Sequence, residues 1–350
     1  MPRILVTGGS GFLGGMIVDT LLERGHSVLA TVRSADKARS MKSQRPQVPL
    51  GKLDFVIVED IAKLDAFNQA VVCDPPLDII IHTAIPFHYS ITDVKKDMID
   101  PAVNGTIGIL NSVKSYAPTV KRVVITSSFV AMYNSDKAAG SKYSESDWNP
   151  VRWETAEDAA NATGQSGYRT SKALAEKEAW AFMEREEPGF SLAVLNPSLI
   201  LGPVSSLSLG SLEDINTSNE RIRDFMIGKL RDRCPPTGSP FWVDVRDVAM
   251  AHVAAAEKPE AAGKRFFLTA GNLCNREIVE IIYESFPDLR ENLPQGEESL
   301  KDGSYPPGGP THGYDNGQSI ESIGLNYRSL KVSVVDAVKS LQMVQRVKFC

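Results

Sequence analysis

Two patterns of apolar residues alternate along this chain. Short runs rich in aliphatic and β-branched side chains, at residues 3–6, 27–32, 55–58, 78–82, 120–126 and 192–195, read as buried strands. Between them, apolar positions recur at helical spacing: Leu13, Ile17, Leu21 and Leu22 after Phe12, then residues 63–72, 96–116 and 170–185. Strand–helix alternation over 200 residues predicts an α/β protein with a doubly wound parallel sheet covered by helices on both faces. A ligand of such a sheet belongs at the carboxyl ends of its strands, near the point where strand order reverses. After Asn196-Pro197 the pattern changes. Residues 205–211 and 295–316 are loop-like in composition. Residues 219–231, 245–257, 276–285 and 330–344 predict helices of a smaller lobe.

The most specific local feature follows the first strand. Val6-Thr7-Gly8-Gly9-Ser10-Gly11-Phe12-Leu13-Gly14 places Gly8, Gly11 and Gly14 at a strand-to-helix turn. One glycine allows the sharp turn, the next a close backbone approach to a pyrophosphate, and the third close packing of helix on strand. The helix then points free N–H groups, with Phe12 and Leu13 at its start, toward the anion. An ordinary glycine-rich turn is the competing reading, and the strand–glycine–helix order favours a dinucleotide site. Residues 1–198 are therefore expected to form a Rossmann-like domain. Residues 199–350 should form a mostly helical substrate-binding lobe, with segments such as 241–270 returning to the first domain.

Composition narrows the class. The 350 residues are 42% hydrophobic and 23% charged, as in a soluble globular protein. A net charge of −5 makes no electrostatic case for nucleic acid or an anionic membrane. No apolar run is long enough to span a membrane, and the first strand begins where a signal peptide would lie, so a cytoplasmic protein is expected. Cys73, Cys234, Cys274 and Cys350 form no C-x-x-C pair, and His82 and His88 are the one close histidine pair. Neither a disulfide framework nor a metal site is expected.

Four groups of residues carry candidate chemistry. Arg33 ends the second strand, where an acid would hold the ribose of NAD and a cation suits the 2′-phosphate of NADP. Lys37 lies four residues on and could share that phosphate, although Arg39, Lys42 and Arg45 leave a plain basic surface as the alternative. Asp60-Ile61 at the end of the third strand could hold an adenine ring, or be turn and core residues. Tyr168 and Lys172 form Y-x-x-x-K on one face of a predicted helix, a turn apart. Tyr133/Lys137 and Tyr327/Lys331 match the same pattern in a loop and in the terminal lobe. Ser128, in Thr126-Ser127-Ser128 at a strand end, would face the same cleft or merely cap a turn. Asn104 is a further polar candidate inside a helix. Carbonyl reduction needs a hydride at carbon and a proton at oxygen. A tyrosine with an ordinary pKa of about 10 is a poor shuttle unless a cation such as Lys172 lowers it, and Ser128 could orient the carbonyl.

With these residues in this order the chain resembles the extended short-chain dehydrogenase/reductases, and within them the dihydroflavonol-reductase-like branch. It is most similar there to the fungal NADPH-dependent methylglyoxal and 3-methylbutanal reductases and related ketoreductases. The resemblance rests also on His82-Thr83-Ala84-Ile85-Pro86-Phe87, Pro101-Ala102-Val103-Asn104-Gly105, Asn196-Pro197, Gly202-Pro203, Asn216-Thr217-Ser218 and Val243-Asp244-Val245-Arg246-Asp247. It implies NADPH/NADP+ as cofactor and a small carbonyl compound as substrate. Ser128, Tyr168 and Lys172 would act in catalysis, and Arg33, Lys37, Asp60 and Ile61 at the adenosine end. Pro197, Ile200 and Ser218 would lie at the nicotinamide end or the phosphates, and Phe87, Tyr133 and Leu199 would line the substrate pocket. Ile85 and Leu199 depart from the small polar and aromatic residues that relatives carry, which leaves substrate preference open. A monomer or homodimer is expected. Two other readings are an NAD-dependent sugar-nucleotide epimerase or dehydratase, which Arg33 opposes, and a non-catalytic dinucleotide-sensing regulator, which the intact Tyr168/Lys172 pair opposes.

Overall fold

The computed structural model describes residues 1–84, 93–156, 158, 164–204 and 211–347. Its centre is a seven-stranded, all-parallel sheet of β1 (Arg3–Thr7), β2 (Ser27–Val32), β3 (Leu53–Ile57), β4 (Ile79–His82), β5 (Arg122–Thr126), β7 (Ser191–Pro197) and β10 (Lys264–Leu268). The spatial order is β3-β2-β1-β4-β5-β7-β10, so strand order reverses between β1 and β4. Side chains alternate across the sheet. Ile4, Val6, Val28 and Ala30 join Ile17, Val18 and Leu21 of α1 (Phe12–Glu23) on one face, with a second helix, Val245–Glu257, packed beside it. Leu5, Leu29, Ile80, Val123 and Val194 face the other way, onto α3 (Asp100–Tyr116) and α4 (Gly164–Glu186). Burial on both faces is why the strands read as continuous apolar runs.

The second lobe has its own core. Here α5 (Thr217–Met226), α7 (Asn275–Ser285) and α9 (Leu330–Val347) bring together Ile222, Phe225, Ile278, Ile282, Val338 and Leu341. Beside them lies a small sheet of β8 (Leu199–Leu201), β9 (Phe241–Asp244) and β11 (Gly271–Asn272). The chain passes from β9 into α6, the helix Val245–Glu257 that packs on α1, and then into β10 at the edge of the main sheet. The helix α8 (Gly317–Ile323) also lies against this side, through Ile323.

Three expected elements differ. Residues 63–72 form successive turns instead of a helix, closed by bonds such as Ala66 N to Lys63 O and Asn68 N to Asp65 O. Asp65, Asn68, Val71 and Val72 are weak helix formers, and Phe67, Ala70 and Val71 still reach the core. The third strand ends at Ile57, so Asp60 lies three residues beyond it in a turn, accepting the Ala62 amide at 2.9 Å. Within residues 295–316, Gly313–Tyr314 (β12) pairs with Lys142–Tyr143 (β6), and Glu297–Leu300 is helical. Residues 205–210 lie outside the described residues. No helix among the described residues is long and apolar enough to cross a membrane.

Candidate active site

The glycine turn is built as its spacing predicts. Gly8 has φ +71°, and its amide donates to Thr31 Oγ1 at 3.0 Å. A Cβ on Gly14 would lie 2.2 Å from Gly8 O, so only glycine lets α1 come this close to the turn. A Cβ on Gly11 would meet only Gly8 O, at 3.3 Å, which leaves that side of the loop open. Gly11 is the N-cap of α1 and its helix start receives no side-chain cap, so the first amides, at Phe12 and Leu13, are available to an anion. At the neighbouring strand end, Thr7 Oγ1 accepts from the Thr83 and Ala84 amides at 3.1 Å and lies 2.9 Å from His82 Nδ1. With its lone pairs taken, the Thr7 hydroxyl donates its proton to His82, which is therefore the Nε2–H tautomer. Burial and the Lys172 ammonium hold the His82 pKa down to about 3.

The region beyond β2, expected to meet adenosine, is open. Arg33 follows β2 on the surface, and Ser34 caps α2 (Ala35–Ser43) by accepting the Lys37 amide at 3.3 Å. Among the described residues neither the Arg33 nor the Lys37 side chain has an acidic partner, whereas Arg39 pairs with Asp36 and Arg45 with Asp19 at 2.5 Å. Ile61 packs on the core edge next to the Asp60 turn. A groove of about 690 Å³ runs from Gly9–Phe12 past Lys37 to Ile215, Asn216 and Thr217. It borders the phosphate side of the loop and does not include Ser128, Tyr168 or Lys172.

The chemistry end lies across the carboxyl ends of β4, β5 and β7. Ser128 follows β5 in extended conformation and starts a helical turn, its Oγ accepting the Val130 amide at 3.3 Å. Its hydroxyl is set toward the Tyr168 phenol. Tyr168 and Lys172 sit one turn apart on α4. The Tyr168 side of that helix keeps 39% of the residue's surface exposed, yet burial of its hydroxyl raises the pKa, opposed by the Ser128 hydroxyl. The lowering expected from Lys172 is not seen in the protein alone, where burial sets the direction. The Lys172 ammonium is turned to Thr126 O, 3.3 Å away, and to the Glu176 carboxylate. Burial brings the Lys172 pKa down to about 8, with Glu176 pulling upward. Thr126 is braced in turn. Its hydroxyl is 2.7 Å from His252 Nε2, while His252 Nδ1 donates to Val248 O at 2.8 Å. Burial lowers the His252 pKa to about 4, so both histidines are neutral wedges.

Other sequence candidates fall around this centre. Pro197 ends β7, Leu199 and Ile200 lie in β8, and Ser218 lies in the first turn of α5. Tyr133 lies beyond Ser128 with the Arg169 guanidinium over its ring at 4.3 Å. Phe87 lies outside the described residues. Asn104 is half-buried on α3, and its side chain has no hydrogen-bond partner among the described residues. The rival Tyr–Lys pairs are committed elsewhere. Lys137 pairs with Asp147, Tyr327 bonds Ser319 Oγ at 2.7 Å, and Lys331 pairs with Glu284 at the surface. Sequence reasoning missed Glu176, Arg265 and His252. Glu176, one helical turn beyond Lys172, was findable from spacing, whereas Arg265 meets it across 89 residues.

Comparison with known proteins fits this architecture. The model of the NAD dependent epimerase/dehydratase family matches residues 4–269, and the chain belongs to that family, the extended short-chain dehydrogenase/reductases. It is 41% identical over 342 residues to the ketoreductase azaE of Aspergillus niger, covering 97% of both chains. It is 35% identical over 350 residues to the NADPH-dependent methylglyoxal reductase GRE2 of Saccharomyces cerevisiae, again with 97% of each covered. The crystal structure of the yeast methylglyoxal/isovaleraldehyde reductase Gre2 complexed with NADPH superposes with a TM-score of 0.83 at 32% identity, over 99% of each chain.

Proposed function

We propose that this chain is an NADPH-dependent reductase that converts small aldehydes and ketones to alcohols. The observation that carries the reading is the convergence of Ser128, Tyr168 and a buried Lys172 at the strand ends that flank an uncapped, glycine-lined helix start. The residues fit the cofactor. The open face at Gly11 and the free amides of α1 suit a pyrophosphate, and the unpaired Arg33 and Lys37 suit a 2′-phosphate. Asp60 and Ile61 would border the adenine, and Pro197, Ile200 and Ser218 the nicotinamide end and phosphates. Reduced nicotinamide, when bound, supplies the hydride.

The proton work belongs to the chain. Ser128 holds the carbonyl oxygen by its hydroxyl, which is set toward Tyr168 and so brings that oxygen within reach of the phenol. Tyr168 donates its proton to the oxygen as general acid. Lys172, largely protonated at neutral pH, is the cation one helical turn from the tyrosinate left behind. By their side-chain chemistry the expected lining residues Phe87, Tyr133 and Leu199 would offer apolar area and few hydrogen bonds, which suits alkyl and aryl carbonyls and α-dicarbonyls over sugars. The protein works in the cytoplasm as a monomer or homodimer, on small molecules and not on nucleic acid.

The test is consumption of NADPH and of NADH, followed at the nicotinamide absorbance, with methylglyoxal, 3-methylbutanal, an aryl ketone and a nucleotide sugar. Turnover of the small carbonyls with NADPH is expected. Faster conversion of the nucleotide sugar, or equal use of NADH, overturns the reading.

A further inference from the structure

We infer that Glu176 is a positioning residue for proton transfer: its buried carboxylate ties the strand end that carries Ser128 to the helix that carries Tyr168 and Lys172, and provides the counter-charge of Lys172. This rests on the reductase reading above. The carboxylate is 2% exposed and has a partner on each side. Oε2 accepts from Ser127 Oγ at 2.5 Å and from Asn196 Nδ2 at 2.7 Å, and Oε1 accepts from Arg265 Nε at 2.6 Å. The same Asn196 amide donates to Ser128 O at 3.2 Å. One carboxylate therefore joins α4, the end of β5, β7 and β10, and Ser128 is fixed from its own backbone.

The arrangement is more than a buried ion pair. Glu176 neutralises Arg265 and also lies one helical turn from Lys172, and Arg265 has further anchors of its own. Its Nη1 donates to Glu145 O at 2.6 Å and Asp147 O at 2.9 Å, and its guanidinium stacks 3.6 Å over the Trp148 ring. The groups that bear on Lys172 are Glu176 from α4 and His82 from β4; those on Glu176 are Lys172 and Lys177 from α4 and Arg265 from β10. His82 stays neutral, so Glu176 is the one anion acting on Lys172 among the described residues. Removing its charge while keeping its shape leaves the ammonium opposed by burial alone, and Lys172 then loses its proton at lower pH.

The experiment compares Glu176→Gln, Glu176→Asp and the double variant Glu176→Gln/Arg265→Met with wild type. The double variant removes the orphaned guanidinium that would otherwise destabilise the single one. Two quantities are read: the Lys172 titration by 15Nζ NMR in cofactor-free protein, and the pH profile of kcat/KM for carbonyl reduction. Glu176→Gln and the double variant should lower the Lys172 midpoint by about one pH unit or more. The alkaline limb of kcat/KM should move with it, and kcat should fall more than KM rises. Glu176→Asp should keep the midpoint nearer wild type, because it keeps the charge. If the double variant recovers both wild-type midpoint and wild-type kcat, Glu176 serves only to satisfy Arg265 and the inference is overturned. If wild type reduces no carbonyl, the reductase reading fails, and the NMR midpoint alone decides whether Glu176 holds the charge of Lys172.

Discussion

At the chemistry end of the cleft Lys172, Glu176 and Arg265 are 6%, 2% and 9% exposed and each has its partners within the fold. Beyond the end of β2 Arg33 and Lys37 stand in solvent, and among the described residues neither is paired with an acid. The same kinds of charge are thus deployed on two physical plans. Buried charges must be paired and hydrogen-bonded because desolvation is costly, so they arrive already oriented and tolerate little change. Exposed cations are cheap to hold and wait for a ligand that brings the opposite charge. The first plan suits proton transfer, which depends on geometry. The second suits discrimination between two cofactors that differ by one phosphate.

The contrast can be tested at both ends. Tyr168→Phe should have the largest effect, lowering turnover by roughly 10²–10⁴-fold while cofactor affinity survives, because the phenol acts only in the transition state. Single-turnover hydride transfer and NADPH titration would separate the two, and Tyr327→Phe, whose hydroxyl bonds Ser319, should leave the chemical step intact. A Tyr168→Phe enzyme with near-native turnover would place the proton donor elsewhere. At the other end, Arg33→Ala should weaken NADPH by about tenfold or more and leave NADH nearly unchanged. Equal losses for both cofactors would remove the phosphate from that position. The smallest effect concerns pH. His82 and His252 are held neutral, with pKa values of about 3 and about 4 against an ordinary 6.5. The unfolded chain therefore binds more protons than the folded one below pH 6.5, and stability falls as pH drops toward those values. The slope should approach roughly 1.4 kcal/mol per pH unit for each histidine, measurable by denaturant unfolding between pH 6.5 and 4.5. A flat profile there would mean that the histidines are not the neutral wedges their contacts describe.

Much of this was legible in local pattern. The glycine spacing predicted a sharp turn and close helix–strand packing, and the structure has φ +71° at Gly8 and no room for a side chain at Gly14. Helical spacing put Tyr168 and Lys172 on one face, and strand-end position singled out Arg33. Where the reading slipped, the reason was also local. Residues 63–72 have apolar positions at helical intervals, but Phe67, Ala70 and Val71 reach the core equally well from consecutive turns, so periodicity alone could not choose. Asp60 was placed at the strand end, whereas pairing stops at Ile57.

The sign of the Tyr168 shift was not legible at all. It depends on where the Lys172 ammonium points and how deep the phenol lies, and both are set by packing of α4 against strand ends far away in the chain. By itself, then, the sequence determined the alternation, the glycine turn, the Tyr–Lys register and the exposed cations, because each depends on neighbours within a few residues. Sequence context also singled out Tyr168/Lys172 from the two rival pairs, but only the tertiary structure decided that Glu176 meets Ser127, Asn196 and Arg265. Those contacts join residues 20 to 89 positions apart. Burial and hydrogen bonding across that separation exist only once the sheet has assembled, and no local spacing encodes them.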